Sequence, residues 1–173
     1  MPSDTLAHWH DFYTLLGTAA GTLVGLLFVA ATVGSGVFTA DRPAPMRVFL
    51  SASVVHFSSV LFVSLIVMAP VESEVVFGVM VLACGFVCIV YCGLVWRDAV
   101  RDGLAARIDL EDRVWYAVLP VIAYLFVAAS GIMLALRAEA GWMSLAVSLG
   151  ALLLVGIHNA WDITVWSITR RRE

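Results

Sequence analysis

Two histidines, an aspartate, an asparagine and several serines interrupt otherwise oily stretches of this chain, and their spacing limits the chemistry open to them. His56 shares one helical face with Ser53, Val60 and Ser64. Later, Ser144, Ser148, Ala151, His158 and Asp162 form a single stripe, with Asn159 at its edge. His158 and Asp162 are four residues apart, so the carboxylate can pair with the imidazole and fix its tautomer or charge. Ionisable groups in an apolar run are costly, face the interior of a bundle, and mark proton relays, ion paths or ligand sites. The plainer alternative is a hydrogen bond to a neighbouring helix for His56, and anchoring near the interface for Asp162.

Other chemistry-bearing residues point less far. Cys84, Cys88 and Cys92 are the only cysteines and recur every four residues, on one helical face. No Cys-x-x-Cys pattern accompanies them, and a disulfide at this spacing within one helix is geometrically poor, so they read as small packing residues. His8, Trp9, His10 and Asp11 read as an interfacial anchor around the indole. The chain contains no phosphate-binding loop, dinucleotide fingerprint, nucleophile elbow, zinc-protease helix or haem-attachment motif. Nothing in its charge points to nucleic acid.

The elements carrying these residues are membrane helices. The chain has 173 residues, is 62% hydrophobic and 13% charged, and has a mean hydropathy of +0.97. About 20 apolar residues cross a bilayer as a helix, and hydrocarbon leaves backbone amides no other partner. The pattern predicts an all-α integral membrane protein of one domain, with five transmembrane helices near residues 12–38, 47–69, 75–96, 115–136 and 142–168. Thr39 to Pro45 breaks the first connection with two prolines, and Pro70 to Glu74 makes a short acidic turn. The longest link, 97–114, alternates charge and reads as a solvated helical extension broken at Gly103, with pairs Arg107–Glu111 and Asp109–Arg113 at helical spacing.

Charge orients the spans. There is no lysine, and nine of the ten arginines (42, 47, 97, 101, 107, 113, 170, 171 and 172) fall on one side, leaving Arg137 opposite. The positive-inside rule puts the crowded side in the cytoplasm, with the N-terminus outside and the C-terminus inside. Trp9, Trp96, Trp115, Trp142 and Trp166 fall at span ends, as an interfacial aromatic belt requires. At 1.5 Å per residue, His56 and His158 both land roughly 3–5 Å to the arginine-rich side of the midplane.

The first span carries Gly17, Gly21 and Gly25 at intervals of four, flanked by Thr14, Thr18 and Thr22. Such a strip lets backbones approach closely and offers hydroxyls across the contact. It predicts a packing seam, either central in the bundle or against a second copy.

Two strings carry a resemblance: Trp9-His10-Asp11-Phe12-Tyr13 with the run from Thr22 to Ala30, and His158-Asn159-Ala160-Trp161-Asp162. They resemble a broad group of small uncharacterised bacterial multi-pass inner-membrane proteins. The resemblance implies a bacterial inner (cytoplasmic) membrane location and brings no activity or site residue with it. From the residues themselves, the leading expectation is an oligomeric channel-like protein for protons or small ions, with a polar path through His56, His158, Asp162, Asn159, Ser53 and Ser64. The alternatives are a membrane electron-transfer subunit with haem between His56 and His158, and a non-catalytic accessory subunit of a membrane complex. Catalysis ranks last. The expected partners are the lipid bilayer and either further copies or a partner membrane subunit.

Overall fold

The computed structural model describes residues 2–34, 44–71, 73–101, 103 and 109–169, with side chains described over 9–30, 32, 52–71, 73–101, 103, 109–162 and 164–165. Among the described residues the chain is all helical: α1 (Pro2–Gly34), α2 (Ala44–Met68), α3 (Glu74–Arg101), α4 (Leu110–Ala135) and α5 (Ala140–Thr169). Four of these, Trp9–Ala30 in α1, α3, α4 and Ala140–Asp162 in α5, are long and apolar enough to cross a membrane. The described apolar part of α2, Ala52–Met68, is shorter. These helices mark a membrane protein. The prolines of the first connection, Arg42 and Arg107 lie outside the described residues. Gly103 adopts a positive φ of 69°, which ends the extension of α3 at the residue best suited to that conformation.

Helices α2, α3, α4 and α5 form a ring. The α3–α4 contact is the most extensive, followed by α4–α5 and α2–α5, whereas α2 and α3 touch lightly. Small residues explain the first of these. A Cβ placed on Gly78 would lie 2.5 Å from the Ala135 amide nitrogen, and one on Gly85 would lie 2.8 Å from that of Ala128. Backbones this close are compatible only with glycine at the contact. Between α2 and α5 the ring of Phe57 fills the space that a side chain at position 156 would need.

Helix α1 is not central. It packs along α2 and makes only marginal contact with α5. Its glycine strip is used in part: Gly17 faces Ser64, Gly21 faces Leu61, and Gly25 meets nothing within 4 Å. The threonines depart from the expected cross-helix bonding. Thr18 and Thr22 each donate at 2.8 Å to the carbonyl four residues back, and only Thr14 reaches across, to Met68 Sδ at 3.4 Å. In an apolar medium the nearest acceptor for a helical threonine is the preceding turn, and these exposed hydroxyls take it. Gly17→Val is therefore expected to destabilise the α1–α2 contact by about 1–3 kcal/mol, because its side chain meets Ser64 Cβ at overpacked distance. Gly25→Val should leave stability unchanged, and denaturant titration of both variants in micelles checks the contrast.

An aromatic group closes the end opposite the arginine-rich one. Tyr13 is fully buried and donates to the Trp142 carbonyl at 2.8 Å, joining α1 to α5. Trp142 stacks on Phe77 of α3 at 5.2 Å. Between α4 and α5, Arg137 takes the left-handed conformation at φ 62° that normally falls to glycine. Two bonds of a Schellman turn hold it, Ala138 N–H to the Met133 carbonyl and Arg137 N–H to that of Leu134. Its guanidinium reaches Glu74 at the start of α3, Nε to Oε2 3.1 Å, which ties the turn to the next helix.

Candidate functional site: a buried imidazole, phenol and hydroxyl

His56, Phe57 and Val60 of α2 are all buried against the ring interior. Across the ring α4 contributes Tyr124, also buried. The Tyr124 hydroxyl lies 2.9 Å from His56 Nδ1 and 2.9 Å from Ser59 Oγ. Ser59 donates its hydrogen to the His56 carbonyl at 2.8 Å. That fixes the remaining protons. With the serine hydrogen committed, Tyr124 must donate to Ser59, and the imidazole N–H must donate from Nδ1 to Tyr124. Neutral His56 is then the Nδ1–H tautomer, and Nε2 is a bare lone pair. Nε2 is buried and has no hydrogen-bond partner.

Three further buried polar atoms are unsatisfied nearby in the fold. Ser53 Oγ and both amide atoms of Asn159 have no partner, and each residue is 0% exposed. Phe57 packing on Gly156 sets α2 against α5, and the two helices are antiparallel. One turn toward the arginine-rich end, Ser53 on α2 is level with Asn159 on α5. Each unpaired buried group costs about 1–3 kcal/mol, so several at one level demand an explanation.

Toward the arginine-rich end, His158 and Asp162 do pair, Nδ1 to Oδ2 3.4 Å, and both are partly exposed. The His158 ring stacks on Trp115, 3.7 Å between centroids and 6° from parallel. Asp112 lies within electrostatic reach of both. Tyr116 donates to the Asn159 carbonyl at 3.3 Å. A π-helical turn over Val114–Val118 presents Trp115 and Tyr116 to α5. Pro120 accounts for it, since proline lacks the N–H that would bond the carbonyl four residues back, at Tyr116. The widened turn shifts that bonding by one residue, with Leu119 N–H on the Val114 carbonyl.

The predicted polar residues thus divide into separate groups. His56 meets Tyr124, and His158 meets Trp115, nine positions earlier on α4. Phe57 on Gly156 fills the α2–α5 contact and one face of His158 is covered by indole, so the two imidazoles do not fit a haem between them. Ser64 is buried with no partner, one helical face along from His56 and against Gly17 of α1. Ser144 accepts from Ser130 of α4 at 2.8 Å, and Ser148 bonds back to its own helix. Among the described residues no three histidine, cysteine or acidic side chains converge as metal ligands. Cys84 and Cys88 line an apolar groove of about 760 Å³ between α2 and α3, together with Ser59 and Met80. Tyr124, Ser59, Trp115 and Tyr116 are the participants that sequence reading missed. A lone tyrosine inside an apolar run was the usable signal, because a buried phenol needs a partner.

The polar groups also alternate with apolar ones along the ring. On α2 Val60 separates His56 from Ser64, on α4 Val127 separates Tyr124 from Ser130, and on α5 Leu152 separates Asn159 from Ser148. All three apolar residues are 1% exposed or less. Two polar zones are therefore divided by a dry layer. No family model, curated protein or solved structure matches the chain.

Proposed function

We propose that this is a five-span membrane protein that conducts protons through the interior of its own bundle. The orientation follows from charge: the arginine-rich end is cytoplasmic and the Tyr13–Trp142 end faces outward. The membrane is the bacterial inner membrane, as the resemblance of its two motifs suggests. The observation that carries the proposal is the bonded chain His56–Tyr124–Ser59 with its unfilled Nε2.

An imidazole with one nitrogen donating and the other bare can take a proton at Nε2 and release one from Nδ1. Tyr124 is placed to receive it while passing its own proton to Ser59, whose hydroxyl hydrogen then leaves the His56 carbonyl for water that enters when the layer beyond opens. Asp162, His158 and Asp112 form the cytoplasmic mouth, where carboxylates concentrate protons and the imidazole exchanges them. Beyond the relay, Val60, Val127 and Leu152 form a hydrophobic gate of the kind that closes by dewetting. The outer hydroxyls Ser64, Ser130, Ser144 and Ser148 lie past it. All of these groups belong to one chain, so the reading needs no pore at an axis between copies.

The test is proton flux into liposomes under an imposed pH gradient. Tyr124→Phe keeps the ring and removes the central hydroxyl of the relay. Its flux is expected to fall by a factor of about 100, the scale of a lost proton-transfer group. Flux equal to that of the unaltered protein would exclude the relay.

A further inference from the structure

We infer that the α2–α5 crossing encloses an internal water site, held by Ser53 Oγ, His56 Nε2 and the side-chain amide of Asn159. The four atoms are buried and have no partner. Ser53 and Asn159 lie about one turn from the contact of Phe57 with Gly156, and His56 adjoins it in the chain. Asn159 decides the matter. Its amide is 0% exposed and offers two donors and an acceptor, none of which is used by protein. A residue so placed in a membrane bundle is satisfied by something that both donates and accepts.

Water fits the inventory. His56 Nε2 and Asn159 Oδ1 need donors, Asn159 Nδ2 needs an acceptor, and Ser53 serves as either. Buried waters characteristically make about three bonds to groups of this kind. A bare cation fits poorly: the three residues that form the site are neutral, and among the described residues no metal-ligand cluster occurs. The carboxylate of Asp162 lies nearly a turn further toward the cytoplasmic end, on the stripe of His158.

The water joins the His158–Asp162 mouth to His56, so its role, though not its presence, rests on the relay proposed above. Water carries a proton across that interval by donating to Nε2 and taking its replacement from the His158–Asp162 pair, with the Asn159 amide only orienting it. Tyr116, donating to the Asn159 carbonyl, holds that helix segment against the π-turn and keeps the amide in register.

The experiment is pulsed radiolytic hydroxyl labelling in H₂¹⁸O of the full chain in lipid nanodiscs, read by mass spectrometry. Radicals form from bound water, so buried residues beside it are oxidised with ¹⁸O. Phe57 is expected to be labelled despite being 1% exposed, whereas Val63, equally buried in an apolar setting, is not. Asn159→Leu, which replaces the amide by an isosteric apolar group, should lower labelling of Phe57 by a factor of about five. Ser53→Ala removes a single oxygen, is the gentler variant if Asn159→Leu does not fold, and should lower it by about half. No label at Phe57 in the unaltered protein, or label unchanged in the variants, would overturn the site. Labelling without proton flux would keep the water and exclude the relay, so the two proposals fail separately.

Discussion

Replacing His56 with leucine is expected to reduce proton flux by a factor of about 100 or more, the loss associated with removing a positioned acid–base group. Leucine roughly matches the imidazole in bulk, so Val60 and Phe57 keep their packing and the bundle remains assembled. What disappears is the only group in the buried chain that takes a proton at one atom and releases it from another. Tyr124 loses its bond to His56 and keeps Ser59. The stability cost is therefore small, about 1 kcal/mol, the scale of one lost hydrogen bond whose phenol partner stays bonded. Asp162→Asn serves as the comparison. Asp162 is 41% exposed at a mouth shared with Asp112, so its loss should lower flux only severalfold. Liposome flux measured for both, beside a denaturant titration, separates relay from architecture. A His56→Leu protein that conducts within twofold of the unaltered one would remove histidine from the path.

Much of this was legible in the sequence because the bilayer is a demanding solvent. Helix positions followed from apolar length, and the faces of Ser53, His56 and Ser64 on α2, and of His158 and Asp162 on α5, followed from period alone. What sequence could not supply was which faces meet. Intervals of four drew attention to the glycines of α1, yet Gly25, one of the three, is open. The tightest seam lies instead between α3 and α4, where Gly78 and Gly85 are seven apart and Gly131 stands between Ala128 and Ala135. Those spacings look ordinary until the two helices are laid together. Equal depths for His56 and His158 were also a fair inference from rise per residue, but depth does not determine azimuth. The π-turn at Pro120 and the length of the Tyr124 side chain then sent the two histidines to different neighbours. The cysteines illustrate the same point: their common face was predictable, and their position beside the α2–α3 groove was not.

Gly131→Val is expected to cause a large stability loss in the ring, about 3 kcal/mol. A Cβ at this position would lie 2.5 Å from the Leu82 amide nitrogen and 2.7 Å from the Gly78 carbonyl oxygen. Both obstacles are helix backbone, which cannot rotate away as the end of a side chain can. The two helices must separate, and the separation is felt along the most extensive contact in the fold. In lipid that loss is not recovered by burying the exposed faces elsewhere, since tails are as apolar as the surfaces they cover and close packing supplies the attraction. Gly93→Val, on the same α3 with nothing within 4 Å, is the control and should leave stability unchanged. Helical circular dichroism followed through denaturant in micelles makes the comparison. The proton pathway should respond too, because moving α4 draws Tyr124 away from His56 and Ser59 while leaving every relay residue in place. A Gly131→Val protein that is as stable as the unaltered chain would mean that α3 and α4 do not meet at these glycines. One that is destabilised yet conducts normally would mean that α4 carries no part of the relay.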